Sequence, residues 1–167
     1  MLLTSFDAVA DHDAEILILG SMPGKASLLR HQYYAHQRNA FWPIMAKLYA
    51  IPLDLAYSER LVCLQQRKVA LWDVMRNCER VSSLDADIVE STIVVNDFVR
   101  FLQHHSSIRL IVLNGQKAFQ TFKRYALPLL SETGKDIECV VLPSTSPAHA
   151  SLSFSQKYEQ WQQALTS

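Results

Sequence analysis

Glu15-Ile16-Leu17-Ile18-Leu19-Gly20-Ser21-Met22-Pro23-Gly24 is the stretch that decides the fold, because an unbroken apolar run from Ile16 to Leu19 ends abruptly in a loop of two glycines and a proline. A run this short, apolar on every residue, predicts a strand buried on both faces. The two glycines let the backbone turn tightly and approach a ligand, and Pro23 fixes one dihedral, so the loop is a shaped surface. Open α/β sheets bind ligands beyond the carboxyl ends of their strands, where this loop falls. Three further apolar runs read the same way: Val69 to Trp72, Leu110 to Leu113 and Cys139 to Leu142, the last two rich in β-branched residues. Segments with helical spacing lie between and after them, around Phe41 to Tyr49, Ser58 to Gln66, Asp97 to His104, Gln116 to Tyr125 and Phe154 to Leu165. Strand and helix alternate throughout, which predicts right-handed βαβ crossovers and an α/β fold: a three-layer α/β/α sandwich around a four-stranded, mostly parallel central sheet. No repeat, linker or low-complexity tract divides residues 1–167, so one domain is expected.

Composition narrows the function classes. The apolar share is 49%, ample for a single core, and 16 Lys+Arg balance 16 Asp+Glu, so contact with nucleic acid must come from a local basic patch. The three cysteines, Cys63, Cys78 and Cys139, are widely spaced and odd in number, which argues against a disulfide framework and a metal knuckle and fits a reducing cytoplasm. Met1-Leu2-Leu3 lacks a basic preface and a long apolar core, and no stretch reaches the roughly 18 apolar residues of a membrane span, so no targeting or membrane role is expected.

The four strands end at Gly20, Asp73, Asn114-Gly115 and Pro143-Ser144-Thr145-Ser146-Pro147, so one rim of the sheet is chemically loaded. In the last of these, two prolines stiffen a run of small hydroxyl residues whose free backbone N–H groups suit a phosphate or a groove. Ahead of it, Tyr33-Tyr34-Ala35-His36-Gln37-Arg38-Asn39-Ala40-Phe41-Trp42 places aromatic, cationic and amide side chains together.

The loop after the first strand, the Ala-His-x-x-Asn-x-Phe-Trp stretch and the late Pro-Ser-Thr-Ser segment together resemble the uracil-DNA glycosylase superfamily, in order and spacing as well as residue type. Leu71-Trp72-Asp73-Val74 and Asn114-Gly115-Gln116-Lys117-Ala118-Phe119 look like the family too. The likeness runs from Leu17 to about Ala150 and is strongest to the hypoxanthine-DNA glycosylase branch, with the mismatch-specific uracil/thymine enzymes more distant. Such enzymes extrude a deaminated base from the duplex, read its hydrogen-bonding edge and stack it on an aromatic ring. The resemblance implies Tyr34 as that ring, a base pocket formed by Gly20, the backbone amides of Ser21 and Met22, and Asn114, and Asn39 as the group that orients the attacking water. An amide cannot serve as a general base, so Asn39 acts by positioning and electrostatics, which predicts slower chemistry than a carboxylate provides. Relatives often carry Asp, Asn or Glu where this chain has Ser21, and the strongest uracil enzymes carry a His where this chain has Leu142, so strong uracil activity is not expected. Pro143, Ser144, Thr145, Ser146, Pro147 and His149 are the expected DNA contacts, with Lys25 and Arg38 on phosphates. The partner implied is DNA containing deaminated bases, and the enzyme is monofunctional, with no lysine placed as a Schiff-base nucleophile. No cofactor or metal is implied, since the iron–sulfur cluster of some branches needs four cysteines.

Plainer readings stand beside these. Asn39 suits the cap of a helix beginning near Ala40. Phe41 and Trp42 read as core, and Tyr33 is open between core and platform. Asp73 and Asn114 either cap the next segment or support the pocket from behind, and His36 reads as a surface histidine. A non-catalytic nucleic-acid or nucleotide-binding α/β module is the alternative function. A small hydrolase using Ser21 or Ser144 is a third, though no Gly-x-Ser-x-Gly elbow is present. A monomer in the cytoplasm, associated with the nucleoid, is the default.

Overall fold

The computed structural model describes all 167 residues, Met1–Ser167. Strands β2 (Ile16–Gly20), β3 (Val69–Asp73), β6 (Leu110–Asn114) and β7 (Glu138–Leu142) form one sheet in the order β3-β2-β6-β7, every neighbouring pair parallel. The four apolar runs are these strands, but β7, at the edge of the sheet, is not buried on both faces as expected: Glu138 and Cys139 are exposed, Val140 and Val141 are half-buried and only Leu142 is buried. β2 lies inside the sheet and is buried along its whole length, as is β6 beside it.

Alternation along the strands sorts the core into two layers. Ile16, Ile18, Leu71, Val112 and Leu142 face one side, packed by helices α2 (Phe41–Tyr49), α3 (Tyr57–Gln66) and α7 (Phe154–Thr166) through Phe41, Ile44, Met45, Leu64 and Trp161. Leu17, Leu19, Ala70, Ile111 and Leu113 face the other, against α4 (Phe98–His104), α5 (Gln116–Thr121) and α6 (Leu127–Ser131) through Phe98, Phe101, Ala118 and Leu130. The helices begin where their sequences allow. Asp97 accepts the Arg100 N–H at the start of α4, and Ser153 with Gln156 forms a reciprocal capping box at α7.

Two further expectations are corrected. Strand and helix do not alternate throughout: β1 (Leu2–Thr4), β4 (Met75–Arg80) and β5 (Ile88–Val95) form a second, antiparallel sheet in the order β1-β4-β5. It carries its own small core of Met22, Met75, Cys78 and Ile88. β4 is apolar only on its inner positions, with Arg76 and Glu79 exposed, so a search for continuous apolar runs passes over it. The single helix expected over Gln116 to Tyr125 is instead α5 followed by a wider π-helical stretch, Phe122–Ala126. A short helix α1 (Lys25–Arg30), not expected, follows the first loop.

Candidate active site

The second sheet matters because it braces the loop after β2. β4 follows β3 across Val74, whose N–H donates to the Gly20 carbonyl at 2.8 Å, and the Met75 N–H donates to the Ser21 carbonyl at 3.1 Å. Ser21 Oγ donates to Asp85 Oδ1 at 2.6 Å, and Arg80, 4% exposed, donates to the Pro23 carbonyl at 2.7 Å. The Met22 side chain points into the small core of the second sheet, so only its backbone is available to a ligand. The loop is therefore rigid and presents backbone.

Gly20 ends β2 in register with Asp73. A Cβ on Gly20 would meet Asp73 Oδ1 at 2.7 Å and the Tyr34 hydroxyl at 3.4 Å, so glycine is required there for Asp73 and Tyr34 to converge. Tyr34 sits in the left-handed region, with φ of 57°, a conformation bulky residues adopt only when packing imposes it. Its ring stacks on Phe41 with centroids 4.0 Å apart at 21°. Its hydroxyl is buried with no partner at good hydrogen-bonding geometry, and burial, reinforced by the Asp73 carboxylate and opposed by the neighbouring Asn114 side chain, raises its pKa well above the usual tyrosine range. Tyr33, open on sequence, is core: it is 3% exposed, and its hydroxyl donates to the Asp7 carbonyl at 3.0 Å. Phe41 and Trp42 are core as expected. Asp73 is 3% exposed with Oδ2 buried and unpartnered, and burial, with Asp85 adding and Arg80 opposing, pushes its carboxyl up to about 8.

The late loop docks between the strand end and the Asn39 segment. Asn114 Nδ2 donates to Thr145 Oγ1 at 3.0 Å and Asn114 Oδ1 accepts the Thr145 N–H at 3.0 Å, while the Thr145 carbonyl accepts the Ala40 N–H at 2.9 Å. Gly115 makes this approach possible: its φ is 97°, and a Cβ there would lie 3.0 Å from Ser144 Cβ. Thr145 is 1% exposed and spends its polar groups inside the protein, so it holds the loop in place rather than offering a hydroxyl to DNA. Ser144, Ser146, Pro147 and His149 are half-buried around it. Asn39 Oδ1 accepts the Phe41 N–H at 2.9 Å, the contact expected of a helix-starting Asn. Cap and reactive amide are not exclusive, since a second lone pair of Oδ1 and both Nδ2 hydrogens remain.

Asn39 also lines a hollow of about 370 Å³ with Arg38, Pro147, His149 and Lys157. No acidic side chain lines it, so it suits an anion. Lys25 does not line it. It begins α1, and its N–H donates to Ser83 Oγ at 2.9 Å. No set of three or more His, Cys, Asp or Glu side chains converges where a metal could sit, and no helix is long and apolar enough to cross a membrane. The serine-hydrolase reading finds no support. Ser21 donates to Asp85, and Ser144 Oγ accepts the Ser146 N–H at 3.1 Å.

Lys157 is the site residue that sequence reasoning missed. It is 5% exposed, and its ammonium donates to the His149 carbonyl at 2.6 Å and the Ser146 carbonyl at 3.4 Å, with burial lowering its pKa. The available signal was its place on the inward stripe Lys157, Trp161, Leu165 of α7. Trp161 Nε1 donates to the Pro143 carbonyl at 3.0 Å, so α7 grips the late loop at both ends. Lys157→Met is expected to raise KM for a damaged duplex about 3- to 10-fold with kcat little changed, because it loosens a surface that binds ground and transition states alike. An unaltered KM in steady-state kinetics would contradict that role.

The fold, the braced first loop and the Asn39–late loop junction define an enzyme class, and comparison with known proteins agrees. The Uracil DNA glycosylase superfamily model matches residues 6–166. The chain belongs to the uracil DNA glycosylase superfamily. It is 37% identical over 160 residues, 95% of this chain and 96% of the relative, to the hypoxanthine DNA glycosylase of Methanosarcina acetivorans. It is 36% identical over 114 residues, 68% of this chain and 71% of the relative, to that of Methanosarcina barkeri. A Methanosarcina acetivorans protein solved by solution NMR, provisionally described as a uracil DNA glycosylase, superposes with a TM-score of 0.79 at 34% identity, covering 100% of both chains. The chain is thus a DNA glycosylase acting on deaminated bases, and the DNA-substrate expectation stands.

Proposed function

We propose that this glycosylase hydrolyses the N-glycosidic bond of deoxyinosine, releasing hypoxanthine, with xanthine or uracil as weaker substrates, and acts as a cytoplasmic, nucleoid-associated monomer. The observation that carries it is the junction at which Ala40 bonds to Thr145 and Thr145 to Asn114, bringing Asn39 to the loop that ends β7. Asn39 orients a water toward C1′ and stabilises the charge that develops there. Tyr34, backed by Phe41, stacks the extruded base over Gly20 and the backbone of Ser21 and Met22, with Asn114 steadying the pocket. Leu142, 6% exposed within the core, offers nothing to a departing uracil anion, which favours the purine. The late loop, Arg38 and Lys25 hold phosphates.

Labelled duplexes carrying one deoxyinosine, deoxyxanthosine or deoxyuridine, treated with the protein and then alkali, test the reading. Cleavage greatest at deoxyinosine is expected, and binding without cleavage at any of the three would return the protein to the non-catalytic alternative. Arg38→Ala should weaken binding to damaged and undamaged duplexes alike and lower the slope of log affinity against log salt by about one. An unchanged slope would remove Arg38 from the phosphate contacts.

A further inference from the structure

At Asp73 and Tyr34, buried polar atoms from different parts of the chain converge without partners. Asp73 is the last residue of β3 and Tyr34 precedes α2, yet Gly20 brings both to one point: its missing Cβ would lie 2.7 Å from Asp73 Oδ1 and 3.4 Å from the Tyr34 hydroxyl. Asp73 Oδ2 and the Tyr34 hydroxyl are both buried with no hydrogen-bond partner. Folded proteins rarely leave such groups unpaired, and they are tolerated where a ligand supplies the partner. The point lies at the carboxyl ends of β2 and β3, beneath the loop Gly20 to Gly24.

Several charged or titratable groups face Asp73. Arg80 of β4 donates through Nε and Nη2 to the Ser82 and Pro23 carbonyls, its Nη1 is buried without a partner, and Asp85, before β5, is held by Ser21. Tyr34, Tyr33 and Tyr57 of α3 also feel the Asp73 charge. No cation forms an ion pair with it, burial and Asp85 outweigh the opposing Arg80 charge, and the carboxyl, pushed up to about 8, keeps its proton at neutral pH. It then carries a proton that it can give up near neutral pH, which the amides of Asn39 and Asn114 cannot do and which the Tyr34 hydroxyl, with its pKa raised by burial, does not do.

We propose that Asp73 is the proton donor to the departing purine, a role resting on the hypoxanthine-releasing activity proposed above. As the C1′–N9 bond breaks, its electron pair passes to the base. The Asp73 hydroxyl hydrogen moves to a basic ring nitrogen, so hypoxanthine leaves neutral and Asp73 becomes a carboxylate. The water held at Asn39 bonds through oxygen to C1′ and loses one proton to solvent. Asp73 recovers a proton from solvent after release, so the cycle consumes one water and no net proton. Purines carry basic ring nitrogens that such a donor can protonate, and uracil has none comparable, which makes this device selective for the purine.

Single-turnover excision of a deoxyinosine duplex, followed from pH 5.5 to 9.5 for the wild type and Asp73→Asn, tests the proposal. The wild-type rate should fall about tenfold per pH unit above the Asp73 pKa, and Asp73→Asn should be about 100-fold slower at pH 6.5 with that limb abolished. Thermal melting separates this from misfolding. The folded-state pKa exceeds the unfolded value, so ionisation erodes wild-type stability progressively from about pH 4 to about pH 8, and the amide variant, which never ionises, should melt at or above the wild type at pH 8. An Asn variant that retains the wild-type alkaline limb, or excises within threefold of the wild type, overturns the inference. A wild type that releases no hypoxanthine overturns the proposed function itself, so the two failures are distinguishable.

Discussion

Asn39→Ala is expected to lower single-turnover release of hypoxanthine by about 100- to 1,000-fold, the loss seen when one positioned polar group is removed from a reaction centre. Duplex affinity should stay within about threefold, because the phosphate contacts lie elsewhere and dominate binding. The substitution also deletes the hydrogen bond from the Phe41 N–H, a cap contact worth about 1 kcal/mol, so a small fall in stability accompanies the kinetic effect without explaining it. Asn39→Asp separates the two roles. It keeps an oxygen for the Phe41 N–H and adds a carboxylate beside the water, so it should match or exceed the wild-type rate. A rate for Asn39→Ala within threefold of the wild type, with the protein folded, would remove Asn39 from the chemistry and leave it a helix cap.

The second large effect is structural. Asn114→Ala should cost about 2–4 kcal/mol in urea denaturation, because it removes two hydrogen bonds and leaves the Thr145 N–H and hydroxyl buried without partners. It should also displace the late loop from Asn39, since Thr145 is the link between β6 and Ala40. Thr145→Val keeps the N–H bond and loses only the hydroxyl, and should cost about half as much. A cost below about 0.5 kcal/mol for Asn114→Ala would mean the late loop is held by α7 alone, through Lys157 and Trp161.

The four strands of the parallel sheet are legible in the sequence as apolar runs, most plainly the two whose burial is complete. Ile16–Leu19 and Leu110–Leu113 are covered on both faces, so each residue had to be apolar and the strands stood out. The antiparallel sheet wets one face, so Met75 and Cys78 reach the core from an otherwise polar β4, and in β5 the apolar residues are interrupted by Glu90, Ser91 and Thr92. The site divides similarly. The first loop, Tyr34, Asn39 and the late loop stand out through the resemblance of their motifs to the family, whereas Thr145 is fixed by Asn114, far back in the chain, and Lys157 by the His149 carbonyl just ahead of α7. Asn39 shows why two readings could not be separated by sequence: the same side chain accepts the Phe41 N–H at the start of α2 and lines the hollow. Asp73 is visible as an acid at a strand end, and only the packing of Tyr34 and Gly20 around it shows that it is buried with Oδ2 unpaired.

The most direct test of the central claim is mass spectrometry of the small molecules released from a deoxyinosine duplex incubated with excess protein. Free hypoxanthine in stoichiometric amount, with an abasic site left in the strand, is expected. A duplex that binds the protein and is recovered with its inosine intact would contradict it.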